Sequence, residues 1–89
     1  MNLNQSWGLK IDKEVYKKLS RFPKRDAERI TYMIESLARN PYFGDIDKIK
    51  GEDDKWRRRI GNYRVFYNIK QRERTVEVVL VERRSSNTY

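Results

Sequence analysis

Four arginines lie within eight residues of the segment KWRRRIGNYRVFY, which spans residues 55–67. They are Arg57, Arg58, Arg59 and Arg64. An arginine side chain stays charged at any physiological pH and binds phosphate oxygens through a rigid fork of N–H donors. Phe66 lies in the same segment and could stack on a nucleobase. The combination suits the phosphates and bases of a nucleic acid strand better than a lipid headgroup.

The sequence contains neither cysteine nor histidine. Disulfides, thiolate nucleophiles, zinc sites built from Cys or His, and ribonuclease chemistry with paired histidines are therefore excluded. The acidic run Glu52-Asp53-Asp54 could hold Mg²⁺, but adjacent loop residues rarely converge on one ion, so we interpret it as a solvated turn. We predict no metal and no small-molecule cofactor. Any catalysis must use Arg, Lys, Tyr, Ser or carboxylate side chains.

Size and charge narrow the class of protein. A chain of 89 residues supports one domain, here residues 1–89. The net charge of +8 points to an anionic partner, which is a nucleic acid, an anionic membrane surface or an acidic protein. The first residues lack the apolar stretch of a signal peptide, and no apolar run is long enough to cross a bilayer. We expect a cytoplasmic protein with no membrane partner.

The spacing of apolar residues predicts the element order β-α-α-β-β-β around this segment. The helix over 24–39 has the clearest period of three and four, and Asn40-Pro41 ends it. Gly61-Asn62 suits a two-residue type II′ hairpin turn. The predicted elements are a strand at 7–11, helices at 12–22 and 24–39, a short extended piece at 46–50, hairpin strands at 56–60 and 63–69, and a central strand at 75–81 that is buried on both faces.

The hairpin turn decides which side chains share a face. With Ile60 opposite Tyr63, one face is mostly apolar, with Arg58 as its odd member, and it is the natural surface for the two helices. The other face holds Arg57, Arg59, Arg64 and Phe66. Arg59 and Arg64 are then directly opposed, with Cβ atoms about 5 Å apart, which destabilises a sheet unless something offsets the repulsion.

Two interpretations of this face remain open from the residues alone. In the first, the arginines lie on a solvent face, screened by salt and paired with scattered carboxylates. In the second, they converge on a concave sheet surface and bind phosphate. A face selected only for solubility normally mixes both signs of charge, and this one is predicted not to, which favours the phosphate site.

The segments KIKGEDDKWRRRIGNYRVFYNI and VEVVLVERRSSNTY, residues 48–69 and 76–89, closely resemble RelE-type toxins of the RelE/ParE superfamily. The resemblance covers almost the whole chain, including the helical hairpin. It implies a microbial RNase-like α+β fold, with a twisted antiparallel sheet, two helices on one face and the active site on the other. It also implies a toxin of a type II toxin-antitoxin system that cleaves mRNA on the ribosome without a metal.

The same resemblance implies roles for residues of this chain. Arg59, Arg64, Arg84 and Tyr89 correspond to catalytic positions, and Arg83 replaces Arg84 if the alignment slips by one residue. The residues implied to bind RNA are Arg57, Phe66, Lys50 and Arg83. The implied partners are a cognate antitoxin, which would cover the basic face or displace the C-terminal segment, and a ribosome with mRNA in its A site.

Cleavage without a metal uses the ribose 2′-OH as nucleophile on the adjacent phosphorus, while the 5′-oxygen leaves. Arg64 and Arg84 are expected to bind the non-bridging oxygens, and Arg59 to support the leaving oxygen. Tyr89 could orient the 2′-OH or serve as base if nearby cations lower its pKa. A loop carboxylate, Asp47 or Glu52, is the weaker candidate for the base.

Two other functions fit the sequence. ParE-type relatives keep the fold but inhibit DNA gyrase, which predicts stabilised complexes of gyrase with DNA and no need for Arg64. A nucleic-acid-binding module without catalysis predicts a steep salt dependence and similar affinity for DNA and RNA. The arginines and the C-terminal tyrosine favour the ribonuclease over both.

Overall fold

The computed structural model describes residues 7–84. Two helices and five strands follow one another in the order β1, α1, α2, β2, β3, β4, β5. Their bounds are β1 Gly8–Ile11, α1 Lys13–Leu19, α2 Lys24–Ser36, β2 Ile46–Lys48, β3 Lys55–Ile60, β4 Tyr63–Lys70 and β5 Thr75–Arg83. The predicted order is confirmed with one strand more than predicted, because the extended piece expected at 46–50 is the edge strand β2.

The five strands form one sheet in the order β1-β5-β4-β3-β2. Neighbouring strands are antiparallel except β1 and β5, which are parallel. The expected antiparallel sheet is confirmed except at this one edge. The chain leaves β1 through both helices and returns to that edge only with its last strand, and a long connection of this kind permits parallel pairing. The α+β class and the antiparallel remainder of the sheet are as expected.

Both helices pack on one face of the sheet and form the core with it. The helices contribute side chains such as Val15, Ile30 and Ile34, and the sheet contributes Tyr67 and Val78, all with 1% or less of their surface exposed. In the described residues, no helix is both long enough and apolar enough to cross a membrane. We call the sheet face away from the helices the open face.

Both helices end earlier than their apolar spacing predicts. The chain continues past α1 and α2 in turns closed by shorter hydrogen bonds, for example from Phe22 N to Leu19 O and from Arg39 N to Ser36 O. These bonds join residues three apart, the tighter geometry that commonly finishes a helix. Pro23 and Pro41 follow the two turns, where proline stops a helix from continuing.

β5 is central in the sheet, as predicted, but it is not buried on both faces. Val76, Val78 and Val81 are fully buried against the helices, whereas Leu80 and Glu77 are only partly covered on the open face. In the described residues, no helix lies over that face, which explains the difference. A bulge in the pairing between Phe66 and Tyr67 shifts the alternation along β5.

Candidate nucleic-acid interface

The hairpin of β3 and β4 has the predicted register. Ile60 pairs with Tyr63, Arg59 with Arg64 and Arg57 with Phe66. Gly61 has a φ of 56°, and among the described non-glycine residues only Arg74 has a positive φ. Positive φ at the first loop position alone is the mark of the type II′ turn, so that prediction is confirmed.

This register divides the hairpin side chains between the two faces. Tyr63, Val65 and Tyr67 are buried against the helices. Successive side chains alternate across a strand, so the neighbours of these residues lie on the open face. We call Arg57, Arg59 and Arg64 the arginine cluster. Phe66, which is partly buried, lies directly across the strands from Arg57.

Carboxylates from the neighbouring strands meet the arginine cluster. Asp47 Oδ2 lies 3.0 Å from Arg57 Nη2, and Asp45 Oδ2 lies 3.3 Å from Arg59 Nε. Glu82 Oε1 lies 3.8 Å from Arg64 Nε. The expectation of a face with one sign of charge is therefore wrong, because the neighbouring strands β5 and β2, with the residue before β2, supply acids to it. These contacts offset the repulsion between Arg59 and Arg64.

The three guanidinium groups differ in how well their donors are used. Arg57 and Arg59 each donate a hydrogen bond to their aspartate. Arg64 Nε is closed off from solvent, yet within residues 7–84 it has no hydrogen-bond partner, because 3.8 Å to Glu82 is too long for one. A shielded N–H without an acceptor costs free energy. Arg64 thus carries an unsatisfied, shielded donor beside the carboxylate of Glu82.

Comparison with known proteins identifies the family. Residues 9–88 match the family model described as the ParE toxin of type II toxin-antitoxin system, parDE. The chain belongs to the RelE/ParE toxin superfamily. A protein of Methanocaldococcus jannaschii, provisionally named toxin RelE1, is 32% identical to this toxin over 81 residues, which cover 88% of this chain and 90% of that protein.

Solved structures share the fold of the toxin. The archaeal RelE-RelB complex from Pyrococcus horikoshii OT3 contains a chain that is 26% identical, with a TM-score of 0.79 over 92% of this chain and 99% of the other. The isolated E. coli RelE toxin is 17% identical, with a TM-score of 0.76 over 91% and 87% of the two chains. The RelE/ParE fold expected from the sequence is confirmed.

The structure places the other predicted site residues of the toxin in different regions. Arg84 is exposed, and its backbone N–H donates to Asn62 O at 2.6 Å, which puts it beside the hairpin turn. Arg83 lies instead on the helix side, with its guanidinium carbon 5.8 Å from the centre of the Tyr63 ring. Lys50 is exposed in the turn after β2, at the end of β3 remote from the hairpin turn. Tyr89 lies outside the described residues.

Two tyrosines of the hairpin are unsuited to act as bases. Tyr63 Oη donates to Asp26 Oδ2 at 2.6 Å, and this hydrogen bond, with burial, raises the pKa of the phenol. Burial raises the pKa of Tyr67 to about 12, and its hydroxyl donates to Pro41 O at 3.1 Å. Both phenols therefore stay protonated at neutral pH, on the face opposite the arginine cluster.

Carboxylates are the part of the site that the arginine pattern did not reveal. Asp47, named from the sequence as a weaker candidate base, belongs to the site because it forms an ion pair with Arg57. Glu52, the other candidate, is exposed in the turn between β2 and β3. Asp45 and Glu82 were missed. The alternating Asp45-Ile46-Asp47 is the one local signal, since it is typical of a strand with acids on one face. Within residues 7–84 no three acidic side chains converge as a metal site.

Proposed function

We propose that the toxin cleaves mRNA on the ribosome and that the arginine cluster holds the phosphate that is attacked. The observation that carries this proposal is the placement of Arg57, Arg59 and Arg64 on one face of the hairpin beside Phe66. Guanidinium groups suit phosphate oxygens, and an aromatic ring beside them suits a base. The solved relatives named RelE add support as members of the same superfamily.

The proposed reaction forms a bond between the ribose O2′ and the adjacent phosphorus and breaks the bond from phosphorus to O5′. A base takes the proton of the 2′-OH, and the leaving O5′ takes a proton from water, so the products are a 2′,3′-cyclic phosphate and a free 5′-hydroxyl. Arg64 and Arg84 would bind the non-bridging oxygens, where negative charge increases in the transition state, and Arg59 would stabilise the leaving oxygen. Arg57 and Phe66 would hold the strand. DNA lacks the 2′-OH and would not react.

The proton of the 2′-OH needs an acceptor. Asp47 is our proposal among the described residues, because its carboxylate lies on the open face, 3.0 Å from Arg57. Tyr89 stays the alternative. Arginine itself is a poor base because it does not lose its proton. Such a limited set of acid and base groups suits an enzyme that needs the ribosome to bend the mRNA so that O2′ and O5′ are in line.

Primer extension on a defined mRNA during cell-free translation tests the proposal. The wild-type toxin should create new 5′ ends, and naked mRNA should stay intact. Arg64→Ala should lower cleavage by about 10²-fold, the usual loss when one donor to a transition-state oxyanion is removed. Arg72→Ala is the matched control, since Arg72 is an exposed arginine in the turn between β4 and β5.

Two outcomes would contradict the proposal. Intact mRNA with the wild-type toxin in the presence of translating ribosomes would exclude cleavage. Equal losses of cleavage in Arg64→Ala and Arg72→Ala would show that net charge matters rather than the cluster. Binding of RNA and DNA with similar affinity, without any cleavage, would instead support a nucleic-acid-binding module.

Inhibition of DNA gyrase is the second candidate function. The matching family model carries the name of the ParE toxins, and carboxylates already meet the arginines of the open face. A gyrase inhibitor should stabilise cleaved complexes of gyrase with DNA. That effect should persist in Arg64→Ala, which separates this function from ribonuclease activity.

We also propose a cognate antitoxin as the partner that keeps the toxin inactive. The family is defined by toxin-antitoxin pairs, and the relatives from Pyrococcus horikoshii and Methanococcus jannaschii were solved as complexes with RelB. A toxin that acts on translating ribosomes would work in the cytoplasm. Co-purification of the toxin with one acidic protein, and loss of mRNA cleavage in that complex, would support this pairing.

A further inference from the structure

The open face continues past the arginine cluster along β4 and β5. Phe66 pairs with Leu80 of the neighbouring strand, and both side chains are partly exposed there. Directly opposed side chains of antiparallel strands have Cβ atoms about 5 Å apart, so these two form one apolar platform. Its width suits the fused double ring of a purine better than the single ring of a pyrimidine. Phe66 also lies two residues from Arg64, about 6.8 Å along β4, so a base on the platform would adjoin a phosphate held by the cluster.

A pair of polar side chains lies beside this platform. Asn68 pairs with Glu77, two residues further along β4. Both lie between residues that are buried against the helices, so strand alternation places their side chains on the open face. The bulge between Phe66 and Tyr67 leaves one extra residue in β5. That extra residue allows Leu80 and Glu77, which are three positions apart, to share the open face.

The polar groups of this pair are open to a ligand. Among residues 7–84, neither the Asn68 amide nor the Glu77 carboxylate has a hydrogen-bond or ion-pair partner. Lys10 lies opposite Glu77 on β1 but forms no ion pair with it in this part of the chain. The arginine cluster differs, since each of its three members has a carboxylate beside it.

The chemistry of the pair matches one nucleobase best. A carboxylate accepts hydrogen bonds through both oxygens and donates none, whereas the amide of asparagine also donates. The Watson–Crick edge of guanine carries two adjacent donors, N1–H and the 2-amino group, next to the acceptor O6. Glu77 would accept from both donors and Asn68 would donate to O6. Adenine offers only its 6-amino group as a donor on that edge, and a uracil carbonyl oxygen would face the carboxylate.

We infer that Glu77 and Asn68 select a guanine base of the mRNA, stacked on Phe66 and Leu80 beside the phosphate bound by the arginine cluster. The platform supplies stacking, which every base can use, and the polar pair supplies discrimination between bases. Glu77 and Asn68 are thus specificity-determining residues and take no part in the bond-making step. This inference rests on the ribonuclease function proposed above and adds a base preference to it.

Fluorescence anisotropy with labelled 2′-O-methyl hexamers tests this inference, because the blocked 2′-OH prevents cleavage. The hexamers contain uracil throughout except at one central position, which carries guanine, hypoxanthine, adenine or uracil. Hypoxanthine keeps O6 and N1–H of guanine but lacks the 2-amino group, so it removes one hydrogen bond to Glu77. The guanine hexamer should bind about 5-fold to 150-fold more tightly than the adenine hexamer, the range for a base held by paired hydrogen bonds, with hypoxanthine between them.

Two variants assign the preference to the polar pair. Glu77→Gln keeps the size of the side chain but replaces one acceptor oxygen with a donor, so it should lose most of the preference for guanine over adenine. Asn68→Ala should weaken binding of the guanine and hypoxanthine hexamers alike, because both bases carry O6. Glu35→Gln is the matched control for charge, since Glu35 is an exposed residue of α2 on the other side of the sheet. It should keep the preference.

The ratio of affinities for two hexamers is the quantity compared, because loss of one negative charge affects the binding of every hexamer in a variant. The inference is overturned if no hexamer binds, if all four bind equally, or if the guanine preference persists in Glu77→Gln. It is also overturned if Glu35→Gln lowers the preference as much as Glu77→Gln does. Cleavage of mRNA without a guanine preference would contradict this inference alone, and a guanine preference without cleavage would contradict the ribonuclease proposal alone.

Discussion

In the RNA site proposed above, the carboxylates beside the arginine cluster would compete with RNA phosphates for the same donors, so removing one should tighten RNA binding. Asp45→Asn is the cleanest change. Its carboxylate lies 3.3 Å from Arg59 Nε, and the two side chains are 62% and 43% exposed. The substitution keeps the size of the side chain, and the backbone hydrogen bond from Arg59 N to Asp45 O, 3.0 Å long, does not depend on the side chain.

The exposure of this pair sets the size of the effect. Solvent-exposed ion pairs contribute about 0.2–1 kcal/mol. RNA no longer has to break that pair in the variant, so its binding gains about the same free energy. Since about 1.4 kcal/mol corresponds to a factor of ten, Asp45→Asn should bind RNA about 1.4-fold to 5-fold more tightly than the wild-type toxin.

Fluorescence anisotropy with a labelled 2′-O-methyl oligoribonucleotide measures this binding, because blocking the 2′-OH prevents cleavage. The matched control is Asp53→Asn, which makes the same change in net charge in the exposed turn before β3. Asp53 precedes Lys55, the first residue of β3, and Lys55 is already four residues from Arg59, or about 13 Å along the strand. That is beyond the Debye length of about 8 Å at 0.15 M salt, so the control charge is largely screened from the cluster.

Comparing RNA binding by the two variants shows whether the Asp45 carboxylate competes with RNA for Arg59. Greater tightening in Asp45→Asn than in Asp53→Asn supports competition at Arg59. Equal tightening would show that only net charge matters. Weaker binding in Asp45→Asn would show that the carboxylate holds Arg59 in the orientation that RNA needs, and either of these two results would refute the competition described here.

Three other changes test separate parts of the structure. Asp47→Asn should lower single-turnover mRNA cleavage by about 10²-fold while RNA binding stays the same or tightens, if Asp47 is the base. Tyr67→Phe should cost about 1 kcal/mol in urea unfolding, because Pro41 O loses its buried donor. The phenol of Tyr67 ionises near pH 10 in the unfolded chain, and burial raises its pKa to about 12 in the folded toxin. Stability should therefore fall across that range as pH rises, and less so in Tyr67→Phe. Gly44→Ala should lower the melting temperature, because Gly44 has a φ of 98°, which strains any residue with a Cβ, and the added Cβ would displace the Arg58 guanidinium from its place beside Gly44.

The hairpin could be predicted in detail from the sequence because its geometry is local. Gly61-Asn62 specifies a two-residue turn, and the turn fixes every pairing of β3 with β4 and the face of every side chain. The split of the arginines between the two faces follows from alternation alone. For the same reason, the element order and the helical hairpin were readable from apolar spacing, whereas the fold class was expected from the resemblance to RelE-type toxins.

The surroundings of the arginine cluster could not be predicted in this way, because they depend on which strands lie beside the hairpin. Asp45 and Asp47 reach the cluster because β2 pairs with β3, and Glu82 reaches it because β5 pairs with β4. These residues are 14, 10 and 18 positions away from their arginines in the chain. Sheet order is a property of the whole fold, and the parallel pairing of β1 with β5 was missed for the same reason.

The run Arg57-Arg58-Arg59 is two surfaces rather than one patch. Strand alternation sends Arg58 to the helix side of the sheet, where its Nη1 donates to Phe43 O at 2.9 Å, and sends Arg57 and Arg59 to the open face. An RNA strand on the open face would therefore meet two of these three consecutive arginines and not the third, so the density of arginine in the sequence overstates the charge that one ligand can reach.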